Sequence, residues 1–400
     1  MIGERTATLS TGDPSRAAGA SSDVVGAEPA PRPPRSRRVR RRTIALALVL
    51  LLLVPAFSYV QALTYPGSAT WQMRSVEWVR DHGGSPLVDR IENWYYTANR
   101  PPGSASGAAA PQVVVAANAP GGRSPLVSRA RLLAGQPPVL GQNTWVPGRR
   151  DPSGAPAIYT SFFRPDPQYP SVVAGVAWIR ARDTGAHLVA GTREPGGNGW
   201  PGGARVAPGD VATLVATFNS GWKMTDTHGG FYLAGQSAGR LLHGQASLVI
   251  DSWGAATVGQ WGRDVTMNPQ VVAVRQNLAL IVDNGLPVAG LDSNLGRRWG
   301  SFENQHQYTW RSGVGVDAAG DLIYVAGANL TLQTLAAALA DTGVVRGMEL
   351  DVHSALVSFA SWVPSSTGSV VPTKLLPEMN RPADRYLAAD QRDFFYLTLR

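Results

Sequence analysis

Residues Gly347-Met348-Glu349-Leu350-Asp351-Val352-His353-Ser354 set two carboxylates and an imidazole at every second position. The intervening Met348, Leu350 and Val352 fit a short buried strand, and side chains alternate faces along a strand. Glu349, Asp351 and His353 are therefore expected on one face. Strand neighbours two residues apart lie roughly 6.5–7 Å from each other, which suits two carboxylates acting on one substrate. Acids beside an apolar core are costly unless paired, hydrated or at work. The same pattern thus also fits a structural ion-pair site or a solvated strand face, and spacing alone does not choose.

A second polar patch follows an apolar run: Thr217-Phe218-Asn219-Ser220-Gly221-Trp222-Lys223, then Asp226 and His228-Gly229-Gly230. Lys223 and Lys374 are the only lysines beside 34 arginines. A compact ammonium at Lys223 would suit a phosphate oxygen, although chance would also place it there. His228 reads as a base, a phosphate contact or a locally bonded turn residue. A third patch, Arg311-Ser312-Gly313-Val314-Gly315, offers a guanidinium fork, a hydroxyl and a backbone N–H to an anion. Taken alone it is weak, because no phosphate-loop signature follows it.

These patches need a scaffold. Short apolar runs bounded by Gly, Pro, Asn or Asp recur from Ala157–Phe163 to Phe394–Leu397, whereas only Leu330–Ala340 has clear helical spacing with a Thr331 or Asn329 cap. Many strands without regular helical alternation predict an α+β domain on a mixed or antiparallel sheet with few helices. The expected divisions are a disordered basic tail (1–42), a transmembrane helix (43–63), a juxtamembrane helical stalk (64–99), a linker (100–111) and a globular domain (112–400).

The transmembrane expectation rests on 21 residues without a charge from Thr43 to Leu63, about 31 Å as a helix. Six arginines between Arg35 and Arg42 precede it, which keeps the N-terminus cytoplasmic and sends the rest outward, as a single-pass protein of the cell membrane. A cleaved signal is the rival, with Val60-Gln61-Ala62 as cleavage site and Ser36-Arg37-Arg38 faintly like a twin-arginine motif. The net charge is +8, and the first 42 residues hold nine arginines against four acids. The basic tail suits anionic lipid, and the remainder carries no basic stripe with interleaved aromatics, so nucleic acid is not an expected partner. The absence of cysteine excludes disulfides, thiolate catalysis and cysteine-bound metal.

The order of motifs resembles the phosphodiester glycosidase family over about Ala212 to Ser361, as a divergent, membrane-anchored bacterial branch. Asn219-Ser220-Gly221-Trp222 is similar to its Asn-Gly-Gly-Phe-Phe element, and Arg311-Ser312-Gly313-Val314-Gly315 to its Arg-Thr-x-x-Gly element. Leu330-Thr331-Leu332-Gln333-Thr334-Leu335-Ala336 is similar to its Thr-Leu-x-Glu-Leu-Ala helix. Glu349-Leu350-Asp351-Val352-His353-Ser354 aligns with Asn-Leu-Asp-Gly-Gly-Gly-Ser-Ser, where the glycine run has become Val352-His353.

The resemblance implies an extracytoplasmic hydrolase of a sugar-1-phosphate diester in cell-envelope glycopolymer or exopolysaccharide. Asp351 would be the first catalytic carboxylate, Glu349 the second, and His353 a proton carrier. Arg311, Lys223 and His228 would neutralise phosphate, with Ser312 and the Gly313 N–H adding hydrogen bonds. Asn219 would contact sugar hydroxyls or fix geometry beside Gly221. A calcium ion on Asp351, Glu349 and backbone carbonyls is compatible with this set, but no ligand spacing demands it. The competing class is a non-catalytic envelope protein that binds glycan or organises wall assembly. A serine hydrolase using Ser312 or Ser354 lacks a Gly-x-Ser-x-Gly elbow. Oligomeric state is not encoded legibly.

Overall fold

The computed structural model describes residues 35–101, 140–294, 296–300 and 305–400. The expected tail up to residue 34 and the expected linker from 102 to 111 lie outside them. The chain divides into two units, Met1–Phe57 and Ser58–Arg400. Helix α1 (Arg35–Thr64) runs through the end of the first into the second. Within its Val39–Thr64 portion an 18-residue window reaches a mean hydropathy of 2.4, so by length and composition it can cross a membrane.

Two helices follow. Thr70 caps α2 (Trp71–Val79), its hydroxyl accepting from the Met73 N–H. At Gly83 the backbone turns left-handed, with φ 86°, a conformation glycine adopts without penalty. The chain then restarts as α3 (Ser85–Ala98), with proline in its first turn.

Beyond residue 140 the unit is built from antiparallel strands, as the α+β expectation requires. The largest sheet has eight, in the order β1 (Val146–Pro147), β2 (Ile158–Phe163), β3 (Ala174–Ile179), β14 (Leu322–Leu330), β13 (Thr309–Val316), β15 (Arg346–Val352), β11 (Leu280–Asp283) and β12 (Leu286–Pro287). A five-stranded sheet orders β7 (Gln236–Ala238), β6 (Phe231–Leu233), β10 (Val271–Gln276), β8 (Ala246–Asp251) and β9 (Ala256–Gln260). A second orders β17 (Val370–Lys374), β16 (Phe359–Pro364), β5 (Leu214–Asn219), β18 (Phe394–Leu399) and β4 (Thr184–Val189).

Alternation along β14 shows how the layers form. Leu322, Tyr324 and Ala326 join a core shared with Phe218, Leu248, Phe395 and Leu397 of the smaller sheets. Ile323 and Val325 face the other way, onto Leu332, Leu335 and Leu339. Those leucines belong to the helix Leu332–Asp341, here α5, after a one-turn α4 (Met224–Thr227). Thr331 caps α5, its hydroxyl accepting from the Thr334 N–H. Gly313 of β13 lies beneath this helix, where a Cβ would meet Leu339 at 2.9 Å.

Candidate functional site

Met348 and Leu350 of β15 enter the inter-sheet core. The strand then departs from regular alternation. Gly313 pairs with Glu349, but Arg311 pairs with Val352, so β15 spends three residues where β13 spends two. Such a bulge re-aims side chains at a strand end. Glu349 and Asp351, expected to share one substrate, accordingly face different arginines.

Glu349 is fully buried and its Oε1 lies 2.7 Å from Nη1 of Arg311. Arg311 is fully buried too, and also donates to the carbonyl of Leu330 and to Gln305 Oε1. Neither borders the main cleft, so Arg311 is not presented to a phosphate there, nor Glu349 to a substrate. The pattern's ion-pair reading describes this half of the motif. Burial pushes the Glu349 carboxyl up to about 7 despite Arg311.

Asp351 sits at the cleft. Nη2 of Arg392 donates to both of its oxygens, at 3.0 and 2.9 Å, and to the Gly221 carbonyl at 2.9 Å. Nε and Nη1 of Arg392 are buried and make no hydrogen bond among the described residues. Burial pushes the Asp351 carboxyl up to about 7, against the pull of Arg392 and with the repulsion of Asp393. Burial disfavours the Arg392 cation, but Asp351, Glu194 and Glu77 more than offset it and raise its pKa.

Asn219 and Ser312 hold the backbone of Asp351 from behind. The Ser312 hydroxyl donates to the Asp351 carbonyl at 2.8 Å and accepts from Asn219 Nδ2 at 3.0 Å. Asn219 Oδ1 accepts from the Tyr324 hydroxyl at 2.9 Å and the Ser358 N–H at 3.0 Å. Asn219 thus ties β5 to the large sheet rather than reaching into the cleft. Gly221 is small for a packing reason, since a Cβ there would meet Asn277 at 2.8 Å. Gly313 is paired on both edges within its sheet.

The cleft has a volume of about 900 Å³ and is lined by Asp351, His353, Lys223, His228 and Arg392 among others. Four of the ten residues expected at the site, Asp351, His353, Lys223 and His228, therefore meet here. The other six, Glu349, Arg311, Asn219, Ser312, Gly221 and Gly313, form the layer beneath.

α2, α3 and the turn between them roof the cleft with Glu77, Arg80, Asp81 and Asp89. Lys223 Nζ lies 2.5 Å from Glu77 and 2.8 Å from Asp81, so it holds this roof instead of standing free for phosphate. Burial disfavours the Lys223 cation, yet Glu77 and Asp81 raise its pKa. His353, with φ 74°, stacks on Tyr96 and approaches Glu92 at 3.7 Å. Burial lowers its pKa, favouring the neutral ring. His228 caps α4 in the left-handed region at φ 54° and is exposed.

Among the described residues no group of three or more His, Asp or Glu side chains could hold a metal ion. Asp351 and Glu349, facing different arginines, do not fit a shared calcium cage. Arg392 is the residue the motif reading missed. Its signal was the density of Arg381, Arg385, Asp390, Arg392 and Asp393 just before β18 in a chain only 16% charged. Arg385 and Arg381 clamp Asp390, at 2.7 and 3.2 Å, which organises this segment.

The chain matches no family model and no curated protein sequence. Among solved structures it is weakly similar to the catalytic domain of zebrafish N-acetylglucosamine-1-phosphodiester alpha-N-acetylglucosaminidase, auto-inhibited by its pro-peptide. The identity is 17% and the TM-score 0.39, over 63% of this chain and 86% of that one. It is also weakly similar to a hypothetical protein from Synechocystis, at 14% identity and TM-score 0.31, over 57% of this chain and 59% of that one. The first of these distant neighbours is a phosphodiester glycosidase.

Proposed function

We propose that this protein is a membrane-anchored hydrolase of sugar-1-phosphate diesters, with its sheet domain outside the cytoplasm and envelope glycan as its substrate. The observation that carries the reading is Arg392, a side chain that lines the cleft: one nitrogen fixes Asp351, and two others are buried and unpaired among the described residues. Unpaired buried guanidinium nitrogens are costly without an anion to receive them, and a phosphate accepts such donors well.

In the proposed reaction the Arg392 guanidinium, which lines the cleft, neutralises the phosphate. Water adds to the anomeric carbon as its bond to the phosphate oxygen breaks, and the phosphomonoester departs with the electron pair. The water's proton passes to Asp351. A carboxyl held near 7 is matched to proton transfer at neutral pH. The leaving group is already stable as an anion, so no second acid is needed, in keeping with Glu349 lying in the buried layer. Asn219 and Ser312 position Asp351, and His353 bounds the cleft as a neutral ring.

The test uses the full chain in lipid nanodiscs with a panel of sugar-1-phosphodiesters, followed by phosphorus NMR in heavy-oxygen water. Conversion of diester to monoester, with the heavy oxygen in the released sugar, supports the reading. Heavy oxygen in the phosphate, or no conversion across the panel, contradicts it. A non-catalytic glycan-binding or envelope-assembly role is the second reading, favoured by the roof that Lys223 holds over the cleft; it predicts binding without conversion.

A further inference from the structure

Helix α3 turns its apolar side away from the protein. Leu87, Ile91, Trp94 and Tyr95 share one helical face, and they are 60, 55, 70 and 53% exposed. The opposite face carries Asp89, Glu92 and Tyr96, and this polar face meets the protein. Asp89 and Glu92 pair with Arg80 at 2.8 and 2.6 Å, and Tyr96 stacks on His353. A helix lying on a domain normally buries its apolar stripe. Four large apolar side chains on one outward stripe mark a contact surface, unlike apolar residues scattered singly.

The packing of α2 shows what that surface meets. Arg74 donates to the Leu63 carbonyl, the Ser75 and Tyr59 hydroxyls bond at 2.8 Å, and His82 Nε2 lies 3.1 Å from Ser58 Oγ. Tyr59 and Trp78 meet edge to face at 5.2 Å. As α2 advances it therefore retreats along the last turns of α1. Ser58 lies within the apolar segment Val39–Thr64, about 9 Å before its end along the helix axis. The turn at Gly83 is thus level with that segment, and α3 starts from it. Arg80 reaches both Asp89 and Glu92, so α3 folds back along α2. Leu87 and Ile91 come first after the turn, then Trp94 and Tyr95. Aliphatic side chains followed by aromatic ones is the order met from the hydrocarbon of a bilayer to its headgroups. Arg90 is exposed beside the same face, where a long side chain can carry its charge to lipid phosphate.

We propose that the outward face of α3 lies in the bilayer that α1 crosses, with Leu87 and Ile91 at the edge of the hydrocarbon and Trp94 and Tyr95 among the headgroups. The inference rests on the membrane-anchored reading of α1 and is independent of hydrolysis. The roof is then held from both sides, by lipid outside and by Lys223 inside, and the cleft lies at the membrane surface.

The chain has no cysteine, so single nitroxide labels can be placed at Leu87→Cys, Ile91→Cys and Trp94→Cys. Leu52→Cys in α1 and Trp253→Cys on the sheet domain serve as references. All five native side chains are exposed, so the labels should leave the packing intact. Each full-length variant is reconstituted at one chain per phosphatidylcholine nanodisc. Electron paramagnetic resonance then reads collisions with oxygen, which concentrates in lipid, and with a nickel chelate, which stays in water. The oxygen-to-nickel ratio at 87 and 91 is expected to exceed that at 253 several-fold and to approach that at 52, with 94 in between. Ratios at 87, 91 and 94 equal to that at 253, with 52 still in lipid, would leave the anchor in place and overturn the inference. A water-like ratio at 52 would remove the anchored reading, and this inference with it. Few collisions with either reagent at the α3 positions would mean that protein covers the face, which overturns it as well.

Discussion

Nη2 of Arg392 reaches both carboxylate oxygens of Asp351 at 2.9 and 3.0 Å, while Nε and Nη1 of the same guanidinium have no partner among the described residues. The arginine is thereby both a positioning group and an incomplete one. Its stability consequences can be separated from its chemistry.

Removing one member of a buried ion pair strands the other, at a cost of about 3–5 kcal/mol. Arg392→Met is therefore expected to lower the midpoint of denaturant unfolding strongly. The double substitution Arg392→Met with Asp351→Asn should recover much of that loss. Urea melts of the single and double variants measure the coupling; simple additivity would show that the pair is not coupled in the folded protein.

Arg311 and Glu349 are predicted to behave as a second, purely structural pair. Glu349→Leu alone leaves a buried guanidinium and should destabilise by about 3–5 kcal/mol. Glu349→Leu combined with Arg311→Met should be near neutral. Hydrolytic activity, normalised to folded protein, should survive the double substitution, because neither side chain lines the cleft. Loss of activity in a well-folded double variant would return Glu349 to the catalytic group.

The raised Asp351 carboxyl gives a signed pH dependence. Its folded value of about 7 exceeds the usual carboxylate value near about 4, so between these pH values the folded state holds more protons than the unfolded state. Its contribution to stability therefore falls as pH rises through that window. The melting-temperature difference between the unaltered protein and Asp351→Asn should shift against the unaltered protein from pH 5 to pH 8. Other titrating groups largely cancel in this difference. A difference independent of pH would mean that Asp351 titrates normally.

Lys223 is expected to secure the roof. Lys223→Met should weaken the attachment of α2 and α3 by about 1 kcal/mol, since its partners Glu77 and Asp81 are partly solvated. Hydrogen exchange should then speed up across 71–98 while the sheet amides keep their protection. Unchanged exchange in the helices would show that the apolar contacts alone hold them.

Local pattern made much of this fold legible. The capped helix before β15 and the apolar runs of β2, β5, β8, β10, β13 and β14 carry periodicity that survives without tertiary information. Thr184–Val189 was hidden because glycine and histidine interrupt its alternation, and Phe359–Pro364 because its six residues are short and end on proline; pairing supplies what local preference lacks. At the site, strand alternation correctly buries Met348 and Leu350. It fails for the acids, because the bulge opposite Arg311 is set by cross-strand register. Arg392 lies outside the compared motifs and meets Asp351 only through the fold.

In the proposed reaction Asp351, held by Arg392, does the chemistry in the cleft. Its most direct test is the rate of phosphomonoester release from a sugar-1-phosphodiester by the unaltered protein and by Asp351→Asn, each shown to be folded by near-ultraviolet circular dichroism. A loss of about 10²–10⁴-fold is expected in a variant whose fold signal is retained. Equal rates in the two proteins would contradict it.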